Sequence, residues 1–220
     1  MTAFAPQRSL DEILNAVTHG IGAVVALAAA AVLITLAAVF GDAYAIIGSA
    51  IYGTSLLLLY VASTLYHAAH DGVAKQRLKV FDHCMIYVLI AGTYTPFTLT
   101  SLRGPWGYSL LAVIWTLALC GILFKLRYAG RFKGLSTAIY IAMGWLVIVA
   151  IQPLVTVVPR AAVWWLLAGG LAYTLGVVFY LNRTWRFSHA VWHAFVLAGS
   201  VCHFAAVLIQ VLASRSPIAG

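Results

Sequence analysis

The sequence predicts an all-α membrane protein, built as a bundle of seven transmembrane helices. Of its 220 residues, 64% are hydrophobic and only 8% are charged, whereas about a quarter of the residues in a soluble domain are charged. The mean hydropathy is +1.00. The chain also contains a series of apolar runs, each close to the roughly 20 residues that a helix needs to cross a bilayer. Because so few charges cannot cover a water-exposed surface, a soluble domain is excluded.

The first 17 residues are predicted to form a tail and a short amphipathic helix. Residues 1–8 are expected to be disordered. The segment Ser9-Leu10-Asp11-Glu12 matches a capping box, in which Ser9 begins a helix and Glu12 reaches back to it. Apolar residues then recur at helical spacing, at Leu10, Ile13, Leu14 and Val17. This pattern is typical of a helix that lies on the membrane surface before the first span.

The predicted spans form one domain, residues 18–213, followed by a C-terminal tail at 214–220. Each span is expected to be a single helix, and Pro96, Pro153 and Pro159 are expected to kink or end helices. The spans lie at 18–40, 44–67, 80–101, 106–125, 135–152, 161–181 and 190–213.

The distribution of basic residues predicts the orientation of the bundle. The net charge is +8, and most of the lysines and arginines fall in short loops on one side, with Arg103, Arg160 and Arg215 on the other. Basic loops usually face the cytoplasm. With seven crossings, the N-terminus is therefore predicted to be cytoplasmic and the C-terminus outside, in a multi-pass protein of the cell inner (plasma) membrane. Basic loops at a membrane explain the charge, so no nucleic-acid partner is predicted.

Two histidines at the start of the last span form the main candidate site. His189 and His193 are one helical turn apart on the same face, about 6 Å along the axis, so both imidazoles can turn toward one metal ion. His67 ends the second span and Asp82 opens the third, at the same predicted side. Ser63 shares a helix face with His67. The spacing and sidedness therefore indicate a three-histidine metal site with a carboxylate beside it, although ordinary structural roles stay open.

Other interpretations of these residues are less well matched. A bis-histidine haem needs ligands that face each other, which two histidines on one helix turn do not. A proton or ion pathway through Asp82 would need a second buried acid. His203 lies too far along the helix from His193 to bind the same ion and is predicted to be a buried polar contact. His19 is expected to contact headgroups or a helix end, although a role as a ligand or its support stays open.

Several motifs along the chain resemble a known family. They are Glu12-x2-Asn15-x2-Thr18-His19-Gly20, Ser63-x3-His67, Asp82, Ala91-Gly92-Thr93-Tyr94-Thr95-Pro96-Phe97 and His189-x3-His193-x9-His203. Together they are similar to the haemolysin III family, the bacterial branch of the progestin and adipoQ receptors, which include the adiponectin receptors. The resemblance implies seven helices and a zinc ion near the cytoplasmic face. It further implies His67, His189 and His193 as zinc ligands, Asp82 holding a water at the zinc, and Ser63 behind it.

Such a site favours hydrolysis. Three neutral histidines leave zinc its full charge and one open position, which suits activation of water with Asp82 as the base. Apolar surroundings favour a lipid amide or ester as substrate, in keeping with the ceramide hydrolysis to which eukaryotic relatives are linked, and with a part in membrane lipid homeostasis. A non-catalytic sensor or regulator, in which zinc pins helices together, stays open. A cytolysin, as the family name suggests, fits constitutively apolar spans less well.

Overall fold

The computed structural model describes residues 10–128, 131–182 and 184–214, and within these ranges every regular element is a helix. The proposed capping residue Ser9 and the tail at 1–8 lie outside them. A short 3₁₀ helix, Leu146–Ala150, separates the fifth and sixth α-helices. The helices are α1 (Leu10–Phe40), α2 (Ala43–Ala68), α3 (Val73–Leu99), α4 (Pro105–Arg127), α5 (Lys133–Gly144), α6 (Ile151–Val157), α7 (Arg160–Leu181) and α8 (Ser188–Ala213).

Six helical segments in the described chain are long and apolar enough to cross a membrane. They are α1, α2, α4, the combined segment Lys133–Val157, α7 and α8. The chain is therefore a helical membrane protein. The remaining predicted span, 80–101, overlaps α3 from residue 80 to its end at Leu99; α3 has 27 residues but a more polar composition. Its threonines face the interior, and their hydroxyls donate hydrogen bonds to α3 carbonyls. Oγ1 of Thr95, for example, donates to the carbonyl of Ala91 at 2.9 Å.

The helices pack as a closed ring. Each of α1 to α4 packs on its neighbour in sequence, α7 packs on α8, and α1 also packs on α8. The weaker contacts of α5 with α3, α4 and α7 complete the ring. Because α1 meets α2 on one side and α8 on the other, residues from the two ends of the chain face a common space.

Helix α1 differs from the prediction of a short surface helix followed by a span. It is one continuous helix of 31 residues. Its buried face already includes Asn15 and His19 in the first turns, and it continues through Gly22 and Ala26. The first turns are held against α2 and α8 by polar contacts, which explains why they continue the span.

The fifth predicted span is interrupted, because α5 ends at Gly144 and α6 begins only at Ile151. The hydroxyl of Tyr94 on α3 compensates for the break. It lies 2.8 Å from the carbonyl of Met143 and 3.0 Å from that of Gly144, and it accepts the backbone N–H of Val147 at 2.9 Å. Backbone groups that leave a helix inside a membrane need such partners. The break between α5 and α6 is therefore stabilised by the Tyr94 hydroxyl.

Pro96 lies within α3, and the helix continues past it to Leu99. A close approach of α2 occurs at this position. A Cβ added to Gly48 would lie 2.8 Å from the Cα of Pro96. A larger residue at position 48 would push the two helices apart, so the glycine allows α3 to pack deep in the bundle.

Candidate metal centre

Three histidines converge at one end of the bundle. His67 lies in the last turn of α2, and His189 and His193 lie in the first turns of α8. One ring nitrogen of each lies within 4.8 Å of those of the other two. His67 and His193 are each only 2% exposed. The three side chains that the sequence predicted to meet are therefore together, in a position that could hold a metal ion.

The Nδ1 atoms of two of these rings lie within hydrogen-bonding distance of other side chains. Nδ1 of His67 lies 3.1 Å from Oε2 of Glu12, and Nδ1 of His193 lies 3.3 Å from Oγ1 of Thr18. The Nε2 atom of His67 is buried and has no hydrogen-bond partner among the described residues. A histidine that binds a metal typically uses one nitrogen for the ion and the other for a supporting hydrogen bond. The ring of His67 has this arrangement.

The donor set suits a borderline-soft metal. Three imidazole nitrogens are ligands for zinc, and also for copper, iron and nickel. A zinc site with three protein ligands keeps its fourth position open, which is typical of catalytic sites. The histidine cluster therefore fits such an ion both in the number of its donors and in the orphaned Nε2 of His67.

Asp82 and Ser63 lie beside the cluster. Asp82 is 9% exposed and belongs to α3, while Ser63 is on α2, one turn before His67. Both line the same cavity as His189 and His193. Asp82 stands outside the group of mutually close metal donors, so its position is that of a neighbour of the histidines.

Helix α1 supplies residues that sequence analysis did not assign to the site. The sequence predicts Glu12 as part of a helix cap. In the structure its carboxylate contacts His67 and also pairs with Nζ of Lys75 at 3.1 Å. Thr18 contacts His193, and the buried Asn15 lies between them in sequence. The signal that could have found these residues is a polar stripe on an otherwise apolar helix, because Glu12, Asn15 and His19 share one face.

His19 is buried in the site, contrary to the expected contact with headgroups. It is 3% exposed. Its ring stacks on that of His193, with 3.5 Å between the ring centroids and 10° between the planes. Its position at the start of the first predicted span indicates an interface, but the packing of α1 against α8 places it inside the bundle.

The other histidines lie apart from the cluster. His70 is exposed just after α2. Nε2 of His83 lies 3.3 Å from the hydroxyl of Tyr180. Nε2 of His203 lies 3.3 Å from the carbonyl of Leu166, so the predicted polar contact of His203 is present, and its ring also borders the cavity.

A cavity of 280 Å³ extends from the histidines into the bundle. Its polar end is formed by His19, Ser63, Asp82, His189 and His193. The rest is lined mostly by apolar side chains of α3, α5, α7 and α8, as far as Leu102 after the end of α3. By the rise of a helix, Asp82 and the end of α3 are roughly 25 Å apart. The cavity is long, and it is polar at the end near the histidines and mostly apolar along the rest of its length.

Comparisons with known proteins cover nearly the whole chain. Residues 7–204 match the sequence model of a family described as haemolysin-III related. Hemolysin-3 of Bacillus cereus is 48% identical over 206 residues, 94% of each chain. The hemolysin-3 homolog of Bacillus subtilis (strain 168) is 47% identical over 198 residues, 90% of this chain and 93% of that protein. The monocyte to macrophage differentiation factor of Homo sapiens is 29% identical over 208 residues, 90% of this chain and 83% of that protein.

Proposed function

The chain belongs to the haemolysin III family, and from that premise we propose that it is a membrane zinc protein that hydrolyses an amide or ester bond of a lipid. The observation that carries this proposal is the cavity, in which Asp82 and two of the clustered histidines, His189 and His193, stand at the polar end of a long apolar space. An amphiphile with one reactive head and an alkyl chain has the same distribution of polar and apolar surface. Its chain would bury apolar area, and its head would meet the donors.

His67, His189 and His193 would hold the zinc ion. When bound, such an ion polarises a carbonyl oxygen and lowers the pKa of water toward 7. Glu12 and Thr18 would orient the two rings whose Nδ1 atoms they contact. The tautomer with the free lone pair on Nε2 would then be the stable one.

Asp82 is proposed as the general base. It would take a proton from the attacking water while the water oxygen bonds to the carbonyl carbon. It would then return that proton to the amine or alcohol released when the C–N or C–O bond breaks. Ser63, which lines the same cavity as Asp82, would orient the carboxylate. The products would be a fatty acid and an amine or alcohol.

We further propose that α3 is a seventh span, that the N-terminus is cytoplasmic and the C-terminus outside, and that the host is the cell inner membrane. With 27 residues, α3 is long enough to cross. The metal site would then lie near the cytoplasmic face, where Lys75, Arg77 and Lys79 in the first turns of α3 are found. A C-terminal fusion to a phosphatase that is active only outside the cytoplasm tests this topology: activity supports seven crossings, and inactivity supports six.

A second candidate function, a regulator without catalysis, is favoured by one observation. The three histidines join α2 to α8, so a bound ion would pin two helices that are distant in sequence. Such a protein would respond to zinc or to lipid without catalysing a reaction.

Metal analysis of the protein purified in detergent is the first experiment. The wild type should carry about one zinc per chain, and His67→Ala, His189→Ala and His193→Ala should each lose it. His70→Ala is the matched control, because this histidine is exposed and outside the cluster. A wild type that binds no zinc in the presence of free zinc would refute both functions.

The variant Asp82→Asn separates the two functions. Zinc-loaded protein in lipid nanodiscs should release free fatty acid from an amide or ester lipid. Asp82→Asn should keep its zinc and lose that release by at least about a hundredfold, the usual contribution of a general base. If the wild type releases no fatty acid from either lipid class while it binds zinc, the regulator becomes the better account.

A further inference from the structure

His19 is a buried polar group that the proposed reaction leaves without a role. It is 3% exposed, and neither of its ring nitrogens has a hydrogen-bond partner in the described part of the chain. A neutral imidazole carries one N–H donor and one acceptor nitrogen. Burying both without partners is costly, and such groups in folded proteins usually meet a ligand or an ordered water.

The ring of His19 is held firmly from two directions. One face stacks on His193, and an edge-to-face contact with Tyr60 has 5.0 Å between centroids and 86° between planes. One turn further along α1, a Cβ on Gly22 would lie 2.7 Å from Cδ1 of Tyr60. The glycine therefore allows α1 to approach Tyr60 closely. Because His19 also lines the cavity, a fixed imidazole borders the space into which a ligand would enter.

The stacked geometry makes His19 a poor fourth ligand. An imidazole binds a metal through its in-plane lone pair, at about 2.0–2.1 Å from zinc. Two rings whose centroids are 3.5 Å apart and whose planes differ by 10° direct their lone pairs along nearly parallel planes. These two rings would therefore not both direct a lone pair at one ion. Consistent with this, His19 does not belong to the group of mutually close donors formed by the other three histidines.

We propose that His19 donates a hydrogen bond to the carbonyl oxygen of the molecule that occupies the polar end of the cavity. The proposal rests on the proposed function, which supplies a substrate with an amide or ester carbonyl. A fixed N–H donor in a water-poor cavity stabilises the negative charge that develops on such an oxygen during attack, and it needs no reorganisation to do so. His19 is then a substrate-binding residue that acts beside the metal ligands.

Two substitutions separate the hydrogen bond from the stacking. His19→Phe keeps an aromatic ring against His193 and removes both nitrogens. His19→Gln removes the ring and keeps an N–H donor. The probe is acetohydroxamic acid, which carries a carbonyl oxygen and binds zinc. Its dissociation constant is measured by calorimetry on zinc-loaded protein in detergent, and the zinc content of each variant is measured in parallel.

His19→Phe should keep its zinc and bind the probe roughly tenfold more weakly, the effect of one lost hydrogen bond of ordinary strength. His19→Gln should bind more tightly than His19→Phe. His203→Phe is the matched control: this histidine also borders the cavity, but its ring faces Tyr173, and its replacement should leave the constant unchanged.

Three results would overturn the role of His19. The first is an unchanged dissociation constant in His19→Phe. The second is loss of zinc from His19→Phe, which would make the imidazole part of the metal site itself. The third is equal weakening in both variants, which would assign the effect to the shape of the cavity. Failure of the proposed function is recognised separately, because the wild type would then bind no zinc, or would bind zinc and the probe without releasing fatty acid.

Discussion

At the scale of single residues, the hydrogen bond on one nitrogen of a histidine decides what its other nitrogen can do. Glu12 and Thr18 contact the Nδ1 atoms of His67 and His193, and the buried Nε2 of His67 has no hydrogen-bond partner among the described residues. Lys75 in turn pairs with Glu12 at 3.1 Å, which holds the carboxylate in place. The orientation of the donors is therefore set by helix α1 and the start of α3, one contact away from the site.

The first prediction concerns Glu12. Glu12→Ala should weaken zinc binding by about 10–100-fold, because His67 loses the partner that fixes its tautomer and raises its basicity. Competition with a zinc-selective chelator measures the dissociation constant. Asp11→Asn is the matched control, since Asp11 is the neighbouring acid and is exposed. Equal affinity in wild type and Glu12→Ala would remove Glu12 from the site.

The second prediction concerns Asp42, in the connection between α1 and α2 at the opposite end of the bundle. Its carboxylate accepts the N–H of Ala45 at 3.0 Å and pairs with Arg103 at 3.0 Å. The Ala45 hydrogen bond, with a further contribution from Arg103, holds the pKa of Asp42 below its ordinary value of 3.8. A carboxyl with a lowered pKa stabilises the fold above its ordinary pKa, and this stabilisation is lost as the pH falls through the folded value.

The stabilisation from Asp42 should therefore be present at neutral pH and lost below pH 3.8. Because the group is largely exposed, the pair with Arg103 should contribute less than about 1 kcal/mol. Thermal unfolding in detergent between pH 3 and 7 tests this. Asp42→Asn keeps the helix cap, and its unfolding temperature should fall slightly less steeply at acid pH than that of the wild type. Asp42→Ala should also lose about 1 kcal/mol of capping free energy at neutral pH. Identical pH profiles for wild type and Asp42→Asn would contradict the assignment.

At the scale of helices, two segments depart from their predicted form for the same reason. The first turns of α1 look amphipathic in isolation but continue the span, because Glu12 and His19 contact α2 and α8. The fifth span looks continuous but breaks after Gly144, because Tyr94 satisfies the released backbone. In both cases a contact from another helix decides the outcome, and the apolar periodicity of the segment alone does not predict it.

The third prediction tests the break between α5 and α6. Tyr94→Phe should lower the free energy of unfolding by about 1–3 kcal/mol, because the backbone groups of Met143, Gly144 and Val147 lose their shared partner inside the bundle. Unfolding in detergent mixtures measures the change. Tyr108→Phe is the matched control, since Tyr108 is 49% exposed and should change little. Equal stability of the two variants would show that the hydroxyl of Tyr94 is dispensable.

At the scale of the whole molecule, the sequence predicted a helical membrane protein and the histidine cluster but not the full extent of the site. The spacing of His189 and His193 by one helical turn is a local property of the sequence, and apolar runs can be recognised from composition. Both features could therefore be predicted. The sidedness of the loops predicted only that His67 lies on the same side of the membrane as the start of α8. The roles of Glu12, Thr18 and His19 depend on α1 packing against both α2 and α8, and no local pattern specifies which helices become neighbours.

The fourth prediction follows from the ring closure. Because the cluster joins α2 near the start of the chain to α8 at its end, an ion bound there should stabilise the folded bundle as a whole. A ligand that binds only the folded state adds stability that grows with the logarithm of its concentration, about 2.7 kcal/mol at 100 times the dissociation constant. For a chain of 220 residues, that corresponds to a rise of roughly 5–10 °C in the unfolding temperature.

Scans at a fixed rate, in detergent with a chelator and then with increasing free zinc, measure this rise. His193→Ala should remove the response, because two histidines no longer form the site, whereas His70→Ala should keep it. Magnesium should produce no shift, since it prefers oxygen ligands. An equal rise in His193→Ala would mean that zinc acts elsewhere on the protein. A wild type that unfolds at the same temperature with and without zinc would mean that the histidines do not tie the two ends of the chain together through an ion.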